Sequence, residues 1–304
     1  MQLSVVLSTR NNAGILRGFL EALCLCARPE NWEVIVVDNA SADETRDVVA
    51  GFSGRLPIKY CFQPVPGKSV SLNLGLSEAD GEVLLFTDDD VIPDRDWLVN
   101  HIRAMQQYPD INIVGGRIVV DRAILPDWLA KSYNLRGILV TEHDKGDVPV
   151  RYPEGDYPFG PNMSVRKIRL DGRRAPWPED IGPGTRVPVG DESAFCSGIS
   201  GQTDRDRLYH PACLVEHRPR IGRHFFVQSI RRCFLGGYTA AVLFPTLART
   251  EDNLAGLAKY TGWRLRRLGS VREFICVGSR ALGYGWGNLR RTLGMDPRSR
   301  TTNR

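Results

Sequence analysis

Residues 82–90 read E-V-L-L-F-T-D-D-D, an apolar run that ends abruptly in three consecutive aspartates. A run of this kind is typical of a strand buried on both faces of a parallel sheet. Adjacent carboxylates repel one another, so a cation or a hydrogen-bond donor has to balance them. Oxygen ligands suit Mg²⁺ or Mn²⁺, and Asp88 and Asp90, spaced as D-x-D, are the natural pair. The stretch predicts a buried strand with a metal site at its end, and a solvated acidic turn is the alternative interpretation.

Other segments of the chain repeat this alternation of strand and helix. Apolar runs that predict strands lie at residues 3–7, 33–37, 58–62 and 113–120. Helical spacing of apolar residues follows the first run, a helix opens near residues 42–44 after the second, and residues 72–76 look helical. Buried strands that alternate with helices predict an α/β fold with a mostly parallel central sheet flanked by helices.

The polar residues that follow these strands suggest a single binding crevice. Ligands of open α/β sheets bind beyond the carboxyl ends of the strands. Polar clusters follow three of the strands, at residues 8–11, 38–39 and 88–90. We therefore expect these clusters to converge in space although they lie far apart in the sequence.

Composition limits the protein class. The chain has 304 residues, 42% of them apolar, which is enough for one large domain with an appendage. The apolar run at the amino terminus is short and lacks a basic flank, so it predicts a first strand rather than a signal peptide. No run reaches the ~18 apolar residues that span a bilayer. The seven cysteines are scattered without a C-x-x-C pair, which predicts reduced cytosolic thiols and a cytoplasmic protein.

Charge divides the chain unevenly. Residues 1–216 contain 23 Lys and Arg against 31 Asp and Glu, whereas residues 217–304 contain 17 against 4. Residues 225–244 and 261–293 mix Phe, Trp and Leu with arginine, as interfacial helices do. This pattern predicts a helical region that binds an anionic membrane surface peripherally. A solvated basic face, or packing against the rest of the chain, explains the same residues, and no recognisable module indicates nucleic-acid binding.

Six runs of sequence together resemble a known family. They read V-V-L-S-T-R-N-N at 5–12, V-I-V-V-D-N-A-S-A-D-E-T at 34–45, G-K-S-V-S-L-N-L-G-L at 67–76, G-E-V-L-L-F-T-D-D-D at 81–90, G-P-N-M-S-V-R-K at 160–167 and G-D-E-S-A-F at 190–195. The chain resembles the family 2 glycosyltransferases of the GT-A fold over roughly residues 3–217. The resemblance implies a Rossmann-like catalytic domain at 1–220 that uses a nucleotide sugar. Its halves would be 1–120 for the nucleotide sugar and 121–220 for the acceptor, with a basic helical extension at 221–304. Loops at about 121–160 would set specificity.

The resemblance implies which residues contact the nucleotide sugar and the metal. Asp38 would accept a hydrogen bond from the base, most often uracil, although a helix-capping role is open. Lys68 would lie near the nucleotide or its diphosphate. The remaining nucleotide contacts would come from Ser8, Thr9, Asn11, Asp88 and Asp89. Asp90, with Asp88 beside it, would hold the Mn²⁺ or Mg²⁺ ion that bridges the phosphates, and His217 would complete that site unless it is structural.

The acceptor side requires a general base, because a hydroxyl must lose its proton as it attacks. Asp191 and Glu192 are the candidates. The family usually has Glu-Asp at this place with the second residue as base, and this chain reverses the two side chains. Position favours Glu192, and Asp191 stays open, as does a helix-opening role for both. Gly160, Pro161 and Asn162 would line the acceptor side. Trp128 would offer a face for sugar stacking, or pack in the core.

A base on one face of the sugar and a diphosphate leaving from the other predict inversion at the anomeric carbon. The sequence thus predicts an inverting transferase that moves a sugar from a nucleoside diphosphate sugar, UDP first, to a saccharide or lipid-linked acceptor in cell-envelope polysaccharide or glycoconjugate synthesis. The alternative is an inactive sugar-nucleotide-binding or membrane-associated scaffold. A nucleotidyltransferase would need a glycine-rich basic loop, which residues 8–12 lack.

Overall fold

The structure is a computed structural model of the chain and describes residues 1–153, 155–170, 176–183, 185, 187–199, 206–243, 270–293 and 295. The strands are β1 Leu3–Thr9, β2 Trp32–Asp38, β3 Ile58–Phe62, β4 Val83–Thr87, β5 Val91–Pro93, β6 Ile113–Val119, β7 Val150–Arg151, β8 Asn162–Arg166 and β9 Arg207–His217. The helices are α1 Ala13–Leu25, α2 Thr45–Ala50, α3 Lys68–Ser77, α4 Trp97–Gln107, α5 Asp127–Ala130, α6 Tyr133–Val140, α7 Asp191–Ile199, α8 Phe225–Leu243 and α9 Val271–Thr292. Short 3₁₀ turns lie at Arg122–Ile124 and Lys167–Arg169.

Within the described residues, nine strands form one sheet in the order β3-β2-β1-β4-β8-β6-β9-β5, with β7 paired to β9. The strands β3, β2, β1 and β4 run parallel. Strand β8 joins β4 and β6 antiparallel, and β6 pairs with β9 in parallel. The expected α/β sheet flanked by helices is confirmed, with its continuous parallel part confined to the amino-terminal strands.

The core explains why these strands are almost wholly apolar. Successive side chains of a strand point to opposite faces of the sheet. Val5 and Leu7 of β1 accordingly pack in one buried cluster, whereas Val6 packs in the other. The buried face of α1, which includes Leu16 and Phe19, covers the first side, and Leu72 of α3 covers the second. Helices on both faces leave the strand ends as the open edge where polar residues can meet.

The chain divides into two compact units. The first consists of Met1–Val120, Glu142–Glu179 and Asp191–Pro219, and the second of Asp121–Thr141, Asp180–Gly190 and Arg220–Arg304. The whole sheet lies in the first unit. The second contains α5, α6, α8 and α9 among its described residues, so it includes the segment 121–141 as well as the carboxyl-terminal helices.

Two predictions from the sequence concern residues of the second unit, one for loops and one for carboxyl-terminal helices. The sequence predicts loops over residues 121–160. This is wrong for most of residues 127–140, which form α5 and α6 with Leu129, Leu135 and Leu139 buried. The prediction of carboxyl-terminal helices is met by α8 and α9. The parts of that prediction at residues 244 and 261–269 lie outside the described residues.

None of the helices in the described part of the chain combines the length and apolar character needed to cross a bilayer. All seven cysteines are free thiols, as the sequence predicts.

Candidate functional site

The strand ends converge as the parallel sheet predicts. Thr9 at the end of β1 lies opposite Asp38 at the end of β2, and Leu7 lies opposite Thr87 of β4. Two hydrogen bonds then join the loops beyond β1 and β2. The backbone N–H of Asn11 donates to Ser41 Oγ at 2.9 Å, and the Asn11 side-chain oxygen accepts from the N–H of Ala42 at 2.8 Å. The convergence of the three polar clusters is confirmed.

Asp38 is held firmly at this edge. Its side chain is 3% exposed, and its two oxygens accept from the Ser41 N–H at 2.8 Å and from the Tyr60 hydroxyl at 2.7 Å. Burial and then this hydrogen bond raise the pKa of Tyr60 to about 12, so the hydroxyl keeps its proton and remains a donor. Each carboxylate oxygen has a second lone pair for a further donor. Tyr60 could not be predicted from the sequence, because its contact with Asp38 depends on the pairing of β2 with β3.

The middle aspartate of the acidic turn faces the protein interior. Asp89 accepts hydrogen bonds from Thr9 Oγ1 at 2.5 Å and from Asn12 Nδ2 at 3.1 Å and 3.3 Å. Burial raises the pKa of Asp89 to about 6, although both hydrogen bonds act in the opposite direction. Ser8, the preceding residue of β1, is half-buried. Thr9 and Asp89, expected as nucleotide contacts, therefore contact each other and hold the first loop against the acidic turn.

Lys68 brings the acidic turn and the predicted acid pair together. It is the first residue of α3, and its Nζ lies 2.8 Å from Asp88 Oδ1. Burial would lower the pKa of Lys68, but the charges of Asp88, Glu192 and Asp191 raise it above its usual range. One lysine is thus paired with an acid that follows β4 and feels the charge of two acids that open α7, although the two segments are more than a hundred residues apart in sequence.

Asp90 points to a different neighbour. Its Oδ2 lies 3.4 Å from Nε2 of His217, at the end of β9, and its Oδ1 is buried without a hydrogen-bond partner. Burial raises the pKa of Asp90, but His217 and then Lys68 offset this effect, so the pKa lies below its ordinary value. A buried carboxylate oxygen without a partner fits a missing cation or donor. Among the described residues no group of three or more His, Cys, Asp or Glu side chains could hold a metal ion by itself. Asp90 and His217 could supply two of the ligands.

The acid pair opens α7. Asp191 is 3% exposed, whereas Glu192 is half-buried. Burial, and next the charge of Glu192, raise the pKa of Asp191 well above its ordinary value. Gly160 makes room for the second acid, because a Cβ placed there would lie 2.8 Å from Glu192 Oε1. Gly160 therefore borders Glu192, and its missing side chain leaves the room that the Glu192 carboxylate occupies.

Asn162 does not line a crevice, and the expectation that it would is wrong. Its side chain is fully buried, and Nδ2 donates to the carbonyl oxygens of Arg117 and Cys213 at 2.9 and 2.8 Å. Its Oδ1 accepts from Trp97 Nε1 at 2.9 Å and lies 2.9 Å from His101 Nε2. Burial lowers the pKa of His101 to about 4, so the ring is neutral at pH 7. Asn162 ties β8 to its neighbours from inside the sheet.

Trp128 belongs to the second unit and packs there. Its ring centroid lies 5.6 Å from that of Phe226 and 6.3 Å from that of Phe225. With 9% of its side chain exposed, Trp128 follows the core-packing alternative rather than the sugar-stacking one.

Comparison with known proteins gives a consistent result. The family described as "Glycosyl transferase family 2" matches residues 4–166, which is more than half of the chain. Chondroitin synthase of Escherichia coli is 31% identical over 121 residues, which are 39% of this chain and 18% of that protein. The chain thus spans about a fifth of the length of that relative.

Two solved structures have a similar fold. A mannosyltransferase from Pyrobaculum calidifontis, in complex with GDP-Man and Mn²⁺, has a TM-score of 0.63 and 19% identity, over 95% of this chain and 87% of that one. Residues 1–349 of S. aureus TarS, in complex with UDP-GlcNAc, have a TM-score of 0.53 and 16% identity, over 97% of this chain and 92% of that one. At these identities the likeness establishes the GT-A fold.

Proposed function

The chain belongs to glycosyl transferase family 2, and from this premise we propose that it is an inverting glycosyltransferase. It would move a sugar from a nucleoside diphosphate sugar, UDP first, to a hydroxyl of a saccharide or lipid-linked acceptor in the cell envelope. The main support is Lys68, whose Nζ lies 2.8 Å from Asp88 Oδ1 and whose pKa is also raised by the charges of Glu192 and Asp191. That arrangement offers the two kinds of group that sugar transfer requires: an ammonium donor for a diphosphate and a carboxylate that accepts a proton.

The nucleotide half of the site is proposed at residues 1–120. Asp38 would accept a hydrogen bond from the base with the lone pairs left by Ser41 and Tyr60. Ser8 and Asn11 would border the nucleotide, and Asp88 would lie near the ribose. Lys68 would donate to the diphosphate. Thr9 and Asp89 would act indirectly, because their hydrogen bond fixes the loop on which Asn11 lies.

Asp90 and His217 would hold the Mn²⁺ or Mg²⁺ ion, and the partnerless Oδ1 of Asp90 supports this assignment. Asp88 could join them only by leaving its ion pair with Lys68. When bound, the ion supplies positive charge to the departing nucleoside diphosphate.

Glu192 would remove the proton of the acceptor hydroxyl as the hydroxyl oxygen bonds to the anomeric carbon. The bond from that carbon to the phosphate oxygen breaks at the same time, and its electrons leave with the diphosphate. Attack from the face opposite the leaving group inverts the configuration. The raised pKa of Asp191 favours its protonated form, so of the two acids Glu192 is the better proton acceptor.

The rest of the chain would contact the acceptor and the membrane. Residues 121–220 would bind the acceptor, with specificity set by residues 121–160. Residues 221–304, with their excess of basic side chains, would bind the cytoplasmic face of an anionic membrane peripherally. A chain held there would meet lipid-linked acceptors directly.

A panel of donors tests the proposed activity. We expect one UDP-sugar to release UDP only with Mn²⁺ or Mg²⁺ present, and expect slower or no release from GDP- and dTDP-sugars. The measurement is nucleoside diphosphate release by the full chain, with and without EDTA. Binding of a donor without any turnover would favour the inactive scaffold instead. Neither binding nor turnover with any donor would contradict the proposal as a whole.

Replacing Gly160 with Ala is expected to lower kcat about 10- to 100-fold, because the added Cβ would lie 2.8 Å from Oε1 and 2.9 Å from Cγ of Glu192 and displace the carboxylate. The atoms it meets belong to a flexible side chain, so Tm should change little. Gly18→Ala, where nothing lies within 4 Å of the added carbon, is the matched control for kcat and Tm. Equal kcat in both variants would show that the position of Glu192 is unimportant.

A further inference from the structure

Helix α9 exposes a row of large apolar side chains. The exposed fractions of its members lie between 39% and 75%. The row consists of Val271, Phe274, Ile275, Leu282, Trp286, Leu289 and, just beyond the helix, Leu293. At 100° per residue all of them fall within an arc of about 120°, which is one face of a helix with 3.6 residues per turn. A contiguous apolar face of this kind marks an interaction surface rather than scattered exposure.

The opposite face of α9 already has a partner. Cys276 and Val277 are buried, and Gly283 lies so close to the backbone of Phe234 in α8 that a Cβ there would collide with the Phe234 carbonyl oxygen. A Cβ at Gly287 would lie 2.8 Å from that of Ala241, also in α8. Packing against α8 therefore accounts for the glycine face of α9 and leaves the apolar row unexplained.

The charges around the row have one sign. Arg272 and Arg290 lie on the same flank of the row, about 80–100° from its centre at 100° per residue. Arg291, in the last turn, lies on the packed side of the helix, where its guanidinium donates to the carbonyl oxygen of Ala241 in α8 at 3.4 Å. Within this helix Glu273 is the single acid, and it is buried and hydrogen-bonded to Ser132. The solvent-facing side of α9 thus combines apolar side chains with positive charge and no exposed carboxylate.

We propose that α9 lies flat in the interface of an anionic phospholipid bilayer, with its apolar row among the acyl chains and Arg272 and Arg290, on the flank of the row, at the lipid phosphates. Helices with an apolar face and an arginine-rich polar edge bind membranes in this orientation. A second copy of the chain is a poorer partner, because two such faces would bring arginines together with no exposed acid to pair them. The inference deepens the proposed function, since it names the surface through which the transferase would reach a membrane.

Vesicle co-sedimentation of the full chain tests the inference. We expect binding to phosphatidylglycerol-containing vesicles and little binding to pure phosphatidylcholine. Leu282→Glu should lower the partition coefficient at least about tenfold, because a leucine side chain no longer enters the acyl region. Arg272→Gln should lower it about fivefold. Val148→Glu is the matched control: Val148 is 63% exposed, Leu282 is 71% exposed, and both changes add one carboxylate.

Three results would overturn the inference. They are absence of wild-type binding to anionic vesicles, equal losses in Leu282→Glu and Val148→Glu, and a dimer in sedimentation analysis that Leu282→Glu dissociates without any change in vesicle binding. Donor hydrolysis measured without vesicles keeps the two proposals separate. If the chain hydrolyses donor but does not bind vesicles, the transferase proposal stands and the membrane-binding face is contradicted. If it binds vesicles but does not hydrolyse donor, the membrane-binding face stands and the transferase proposal is contradicted.

Discussion

Glu192→Gln is expected to reduce kcat about 10²- to 10⁴-fold, the usual contribution of a general base. The change keeps the size and shape of the side chain and removes its ability to accept a proton. Glu192 lies against Gly160 and in the field of Lys68, so the amide should occupy the same place. The measurement is kcat with saturating donor and acceptor, together with the Kd for UDP, which should change little.

Asp191→Asn is the matched control. Burial and the neighbouring charge of Glu192 favour the protonated form of Asp191, which an asparagine imitates in shape and charge. We therefore expect kcat to stay within about tenfold of wild type, since no proton acceptor is removed. If Asp191→Asn shows the large loss and Glu192→Gln does not, the roles are reversed and Asp191 is the base.

The part of the site that the sequence could predict follows from a rule of parallel sheets. Carboxyl ends of parallel strands meet at one edge, so the polar residues after β1, β2 and β4 had to lie together. The register that places Thr9 opposite Asp38 confirms this prediction. Apolar runs predicted β1 to β4 for the same reason, because a strand buried on both faces needs apolar residues at almost every position.

The direction of individual side chains could not be predicted in this way. In the run of Asp88, Asp89 and Asp90, each carboxylate has a different partner: Lys68, Thr9 with Asn12, and His217. Three identical residues in a row do not indicate which carboxylate faces the protein interior. The partners come from four other places in the chain, so only the folded structure assigns them.

Strand β9 was missed for a related reason. It contains Pro211, which removes a backbone donor, and its pairing with β6 shifts register between Gly116 and Arg117. Both features obscure the strand pattern in the sequence. Asn162 shows the opposite error, because a motif residue expected at a crevice satisfies buried backbone groups instead.

Asp90→Ala is expected to lower kcat/KM about 10²- to 10³-fold and to remove its dependence on Mn²⁺ or Mg²⁺. A group that stabilises charge developing on a leaving group contributes an effect of this size. His217 and Lys68 hold the pKa of Asp90 below its ordinary value, so deleting the carboxylate also removes a favourable pairing and should lower Tm as well as activity. The measurements are kcat/KM against metal concentration and calorimetric binding of Mn²⁺ in the presence of UDP.

Comparing Asp89→Ala with Asp90→Ala distinguishes the proposed metal ligand, Asp90, from the neighbouring acid Asp89, whose role is structural. Asp89 accepts from Thr9 and Asn12, so its loss leaves the buried Thr9 hydroxyl without this acceptor and should cost about 1–3 kcal/mol of unfolding free energy. Its residual activity should still respond to metal, whereas that of Asp90→Ala should not. His217→Ala should weaken metal binding in the same direction as Asp90→Ala, because Nε2 lies 3.4 Å from the Asp90 carboxylate. An Asp90→Ala enzyme that keeps its response to metal would place the ion elsewhere and leave Asp90 as a partner of His217 alone.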